Sequence, residues 1–192
     1  MNMSLAHRPS PQEVQAFIAA SCQLPLSYER VGLAERGCAG FRLDALASVV
    51  GHGEAAFERA KVALSEWRHF DLGWIEVFPT LAGVAPGTIV AVLVRHLGFW
   101  SMNGCRVVYS ITGDDPREFG FAYGTLTNHA ESREEIFKVS LCPSTGEVSY
   151  VIRAVSRPRA LLARLGYPVT RSLQARFRRD SADAFARALA GR

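Results

Sequence analysis

An α+β fold, built as a curved antiparallel sheet of about six to seven strands packed on a long C-terminal helix, follows from three observations on this sequence. Between residues 118 and 155, three successive runs alternate apolar and polar residues, the signature of half-buried strands in a meander. Turn residues interrupt the strand-like runs at Pro86-Gly87, at Gly113-Asp114-Asp115-Pro116 and at Ser144-Thr145-Gly146. Helical patterns gather before and after the strands and do not alternate with them, so helices are expected to cover one face of the sheet.

Each element has its own justification. Ser10-Pro11-Gln12-Glu13 is a capping box with proline at the first helical position, and Val14, Phe17 and Ile18 make the helix that follows amphipathic. Leu24-Pro25 ends it near Cys22. Residues 26–40 read as an irregular connection, and residues 41–50 as a strand bounded by Gly51 and Gly53. From Glu54 onward, Phe57, Ala60, Leu64 and Trp67 fall on one face of a helix, with Glu58, Lys61, Glu66 and Arg68 on the rest. Strands are predicted over 74–78, 88–97, 104–111, 118–126, 134–141 and 147–155. After Leu161, Leu162 and Leu165 comes a break at Gly166-Tyr167-Pro168, and then Val169, Leu173, Phe177, Phe185 and Leu189 form the apolar stripe of the last helix. No repeat or linker divides the chain. Residues 1–192 therefore read as one domain, with 1–25 as N-terminal helix and lead-in and 40–190 as the core.

Composition narrows the class. The chain is 48% apolar and 21% charged, ordinary for a globular protein, and no apolar run reaches the roughly 20 residues of a membrane span. The start, MNMSLAHRPS, lacks the apolar segment of a secretory signal, so a cytoplasmic location is expected. Cys22, Cys38, Cys105 and Cys142 form no C-x-x-C pair. Cys105 and Cys142, in or beside strand-like runs, are expected to pack as small hydrophobes. Charge is asymmetric: from Arg153 onward there are ten arginines against Asp180 and Asp183, a balance of +8 within a total of +4. Such a tail could touch anionic lipid or nucleic acid, but it lacks interleaved aromatics for base stacking, so no specific nucleic acid is expected as partner. The glycines of GHG at 51–53 and GFAYG at 120–124 lack phosphate-loop spacing, no nucleophile elbow is present, and no cofactor or metal is expected.

Four blocks carry a sharper resemblance: WRHFDLGWIEVFP at 67–79, PGTIVAVLVRHLGFWSMNGCRVVYSI at 86–111, GFAYGTLTNHAESREEIFKV at 120–139 and SRPRALLARLGYPVTRSLQARF at 156–177. Over roughly residues 24 to 190 the chain resembles uncharacterised protein family 548, a domain of unknown function. The resemblance implies a helix-grip-like fold of the START and Bet v 1 type. It implies no activity, and no catalytic residue is transferred from it.

Candidate site residues come from the pattern itself. Thr88, Val90, Val92, Val94 and His96 share one face if their strand alternates, and a histidine there could bind ligand or move a proton. The plainer role is a hydrogen-bonded core or rim histidine. Tyr109 and Tyr123, on adjacent strands, are expected on the same side, either filling the core or offering hydroxyl handles to a cavity. Arg68 and His69, at the junction carrying Trp67, Asp71, Trp74 and Glu76, either anchor a turn through a carboxylate or form a pocket mouth for an acidic head group. His129, Glu131, Glu134 and Glu135 read as a solvated hairpin tip, because alternation sends Glu134 and Glu135 to opposite faces. Binding of a small apolar or amphipathic molecule between sheet and terminal helix is the leading functional reading. A cavity-based cyclase, isomerase or hydrolase pairing His96 with Tyr109 or Tyr123, or an interaction module using the basic tail, are the alternatives.

Overall fold

The computed structural model describes residues 3–112, 115–129, 131–158 and 167–191. Its strands are β1 (Met3–Leu5), β2 (Arg42–His52), β3 (Ile75–Phe78), β4 (Ile89–His96), β5 (Phe99–Ile111), β6 (Glu118–Thr125), β7 (Glu131–Leu141) and β8 (Glu147–Pro158). They form one antiparallel sheet in the order β2-β8-β7-β6-β5-β4-β3, with β1 paired to the start of β5. The helices are α1 (Pro11–Ser21), α2 (Leu33–Arg36), α3 (Glu54–Ser65) and α4 (Tyr167–Ala190), and a 3-10 turn, Arg68–Phe70, follows α3. This is the α+β, helix-grip arrangement that the alternation and the terminal stripe anticipate.

The sheet carries apolar side chains on both faces. On its inner face, α3 and α4 pack Phe57, Ala60, Leu64, Phe177 and Phe185 against Phe121, Phe137, Val148 and Tyr150. Burying each of these large side chains contributes roughly 1.5 to 3 kcal/mol, which fixes the helices to the sheet. The outer face is covered in two places. Val14 of α1 meets Ala91, Leu93 and Met102, while Ala34 of α2 meets Ala122, Ile136 and Val155. The capping box of α1 is present: the Glu13 amide donates to Ser10 Oγ at 3.3 Å and the Ser10 amide to the Glu13 carboxylate at 2.8 Å.

The structure moves several boundaries. β5 begins at Phe99 and not at 104, because Leu97 (φ 49°) and Gly98 (φ 82°) make a two-residue turn that pairs His96 directly with Phe99. A leucine at the first left-handed position is an unusual hairpin marker. α3 stops at Ser65, and Trp67 turns into a left-handed conformation (φ 58°), its indole N–H donating to the Ala82 carbonyl at 2.8 Å. Residues 26–40 are not wholly irregular. Glu134 reaches from β7 to accept the Gly32 and Ala34 amides at 3.0 and 2.9 Å, supplying the acidic cap of α2 from about a hundred residues away. β7 starts at Glu131, three residues earlier than the alternation suggested. Leu161, Leu162, Leu165 and Gly166 lie outside the described residues, as do Gly113, Asp114 and the side chain of Val169.

The thiols and the arginine tail also depart from expectation. Cys105 is buried, but Cys142 is half-buried at the β7–β8 turn, where the hydroxyls of Ser144 and Thr145 pull its thiol down to about 6. Not all tail arginines serve the solvent face. Arg171 makes a bidentate pair with Asp44 of β2 at 2.5 and 2.7 Å, and Arg178 approaches the same carboxylate at 3.6 Å. Among the described residues no helix is long and apolar enough to cross a membrane.

Candidate functional site

Alternation along four neighbouring strands builds the site. The inner face receives Val92, Val94 and His96 from β4, Ser101, Asn103 and Cys105 from β5, Tyr123 and Thr125 from β6, and Glu131, Arg133 and Glu135 from β7. Opposite them, Leu173, Gln174 and Phe177 descend from the first turns of α4, and Phe70, Trp74 and Ile75 close the side. These residues line a cavity of about 200 Å³. That is smaller than the roughly 300 to 1,000 Å³ of sites for drug-sized ligands, so the occupant it suits is small.

One wall is apolar and the other is a buried polar ladder. On β7, Arg133 donates to Glu135 Oε1 at 2.5 Å, and Tyr123 on the adjacent strand donates its hydroxyl to Glu135 Oε2 at 2.9 Å. Burial opposes the charge of Arg133, yet Glu135, Tyr123 and Glu131 hold its pKa above the ordinary guanidinium value. Burial, reinforced by the Glu135 charge, pushes the Tyr123 phenol well up. Glu131 is 7% exposed and accepts the Gln174 amide on both oxygens, at 3.0 and 2.9 Å. Burial raises its carboxyl above the usual range, against the lowering pull of Arg133 and Gln174. Gln174 in turn accepts from Arg171 at 2.7 Å, so a continuous chain runs from Asp44 through Arg171 and Gln174 to Glu131. His129 accepts the Glu131 amide on Nδ1 at 3.0 Å, which leaves the proton of the neutral ring on Nε2.

Of the five candidates read from the sequence, His96 and Tyr123 line this cavity. Tyr109 does not. A bulge between Val107 and Tyr109 inserts one residue into β5, so Val108 and Tyr109 both turn to the outer face, where the Tyr109 hydroxyl meets Glu134 at 3.4 Å. The pairing of His96 with Tyr109 is thereby removed. Arg68 pairs with Asp71 at 3.2 Å and borders a separate surface groove beside β3. His69 is fully buried among Trp67, Phe70, Phe121, Phe137 and Tyr150, and neither ring nitrogen has a hydrogen-bond partner. Desolvation pushes its pKa down to about 3, which keeps the ring neutral. Nor is the Glu131 to Glu135 segment a solvated tip, because Glu131, Glu134 and Glu135 are all buried. Glu134 and Glu135 do face opposite sides, as alternation requires.

Sequence reasoning missed Glu131, Arg133, Glu135 and Gln174. The signal was present: carrying the alternation of Phe137 and Val139 back through 135, 133 and 131 sets all three charged residues on the inner face. Gln174 lies one position from Leu173, between the two apolar residues that mark the stripe.

A family model described as a domain of unknown function (DUF1990) matches residues 27–184. A UPF0548 protein of Dictyostelium discoideum is 35% identical over 158 residues, covering 78% of this chain and 73% of the relative. A UPF0548 protein of Arabidopsis thaliana is 31% identical over 192 residues, covering 92% and 93%. Among solved structures, a hypothetical protein of Helicobacter pylori superposes with a TM-score of 0.58 at 9% identity, over 83% of this chain and 94% of that one. A point mutant of norcoclaurine synthase from Thalictrum flavum, in complex with a transition-state analogue, gives 0.50 at 11% identity, over 80% and 98%. At such identities these two neighbours establish the shared Bet v 1-like fold and nothing about chemistry.

Proposed function

The chain belongs to the UPF0548 (DUF1990) family, whose function is unknown, and we propose that it binds a small amphipathic molecule in the cavity between the inner sheet face and α4. A single observation carries the reading. The inner face is left uncollapsed at one end, where Glu131, Arg133, Glu135, Tyr123 and Gln174 border about 200 Å³ of space. Filling that volume with apolar side chains would stabilise the fold, since a buried ionic network is often matched or exceeded by well-packed hydrophobic residues of similar size. Perturbed ionisable groups gathered in a concavity point to a binding or reacting molecule.

The ligand's apolar body would lie against Val92, Val94, Leu173 and Phe177. Its polar head would meet the β7 ladder, with His96 and Tyr123 orienting it. Catalysis in the same cavity is a second reading, supported by Glu131, a buried carboxyl that burial makes harder to ionise. Interaction through the basic tail gains no comparable support, because Arg171 and Arg178 are already engaged with Asp44.

The test is a thermal-shift and NMR screen of the full chain against small amphipathic molecules. A ligand at a hundred times its Kd stabilises the folded state by about 2.7 kcal/mol, so melting should rise and amide shifts should move at the cavity strands. Tyr123→Phe and His96→Ala should weaken the response. If no small molecule moves the melting curve or the spectra, the binding reading fails. Conversion of a bound molecule to product in the same spectra would favour the catalytic reading.

A further inference from the structure

We infer that the molecule held in this cavity carries a protonated nitrogen and that Glu131 is its counter-ion. The inference rests on the ligand-binding reading above and names the charge of its ligand.

The ion pairs around the cavity leave one carboxylate without a direct cationic partner. On β7, Arg133 is paired with Glu135, whose second oxygen takes the Tyr123 hydroxyl. On α4, Arg171 is held in bidentate fashion by Asp44 of β2, and Arg178 leans on that same carboxylate. Glu131 stands between these two sets. Its direct hydrogen bonds come from one neutral amide, that of Gln174, and among the described residues no cation lies within ion-pair distance of it. The remaining polar neighbours are His96, His129, whose Nδ1 accepts the Glu131 amide, and the uncharged Ser101, Asn103 and Thr125.

A carboxylate offers about four lone-pair positions, and a single shared amide N–H₂ leaves part of that capacity open toward the cavity. An ammonium group placed there would supply both further hydrogen bonds and a direct ion pair. The facing wall suits the same chemistry. Phe70 and Phe177 present aromatic surface, and ring faces attract cations where water is excluded. An anionic ligand would face the like charge of Glu131, while the Arg133 guanidinium on the same wall is paired with Glu135.

The experiment uses three probes of similar shape on the full-length protein, 2-phenylethylamine, 2-phenylethanol and phenylacetate, titrated by NMR at neutral pH. The amine should bind about tenfold or more tightly than the alcohol, the range expected for a hydrogen bond to a charged group, and the carboxylate should be weakest. Glu131→Gln should bring the amine down to the level of the alcohol and leave the alcohol unchanged, while Glu131→Asp, which keeps the charge, should retain the preference. Equal or tighter binding of the alcohol or the carboxylate overturns the cationic assignment and leaves ligand binding standing. An amine preference that survives Glu131→Gln overturns the role of Glu131. Failure of all three probes, at concentrations where the folded spectrum is intact, overturns the assignment together with the binding reading it rests on.

Discussion

The two ends of the inner sheet face are made by the same strands and are opposite in character. Toward the α3 end, Phe121 and Phe137 continue the alternation of β6 and β7 into a closed aromatic cluster with Trp67, Phe70 and His69, and Phe185 of α4 stacks on Tyr150 at 4.4 Å. Toward the other end, the next inward positions on β6 and β7 are Tyr123, Thr125, Glu135, Arg133 and Glu131, and packing gives way to a cavity. A strand does not change its geometry between these ends. What changes is whether its inward side chains can close against a helix without leaving polar groups unpaired. α4 spans both, presenting Phe185 and Leu189 at one end and Gln174 at the other. The fold thus separates a stabilising half from a half whose polar groups are held apart by the first.

The sharpest way to break this division is to remove one ring from each end. Phe137→Ala deletes a fully buried side chain that touches His69, Phe70, Phe121 and Tyr123, and should cost about 3 to 5 kcal/mol in urea unfolding. Phe177→Ala removes a ring that already borders empty space, so fewer contacts are lost and the cost should be roughly 1 to 2 kcal/mol smaller. Equal losses would mean that the two ends are packed alike.

Titration separates them next, because the two ends respond to acid with opposite signs. His69 is neutral in the fold, with a pKa near 3, and is free to protonate once unfolded. Its contribution is therefore present above the ordinary imidazole pKa of about 6.5 and is lost as pH falls below it, amounting to about 2 kcal/mol at pH 5. His69→Leu should flatten that part of the stability curve. Glu131 behaves the other way. Its folded carboxyl holds a proton to higher pH than the unfolded one, so its contribution is present below the ordinary carboxylate range and is lost as pH rises through the folded value. Glu131→Gln should leave stability at neutral pH unchanged or raised by at most about 1 kcal/mol, while abolishing the amine preference described above. Parallel pH slopes for the two variants would sink the contrast.

The sequence speaks clearly about the first half and poorly about the second, for physical reasons. Alternation, the capping box at Ser10 and the stripe through Leu173, Phe177 and Phe185 are local patterns with fixed periods, and they specify sheet, helix and their mutual docking. The cavity wall depends on register. One inserted residue in β5 sends Tyr109 outward while Tyr123 stays in, and a single residue carries no composition signal of its own. Glu134 and Glu135 are adjacent in sequence and serve opposite faces, one capping α2 and the other closing the ladder. Charged residues at 131, 133 and 135 resemble a solvated turn until the strand is known to begin there, because their burial is compensated by partners on β6 and α4 that lie far away in sequence.

The smallest expected loss of stability tests whether the polar ladder is a unit. Tyr123→Phe keeps the ring against Phe137 at 5.3 Å and removes the hydroxyl that donates to Glu135. Loss of one buried hydrogen bond should cost about 1 kcal/mol, or about 2 to 4 °C in melting for a chain of this size. The informative quantity is the coupling to Arg133. If Tyr123 and Arg133 jointly fix the Glu135 carboxylate, the double variant Tyr123→Phe with Arg133→Met should lose less than the sum of the single losses, since Arg133→Met already removes the contact that aims Glu135 at the Tyr123 hydroxyl. Additive losses would show two independent contacts on the same carboxylate, and the cavity's polar wall would then be a set of separate groups whose placement around Glu131 owes nothing to one another.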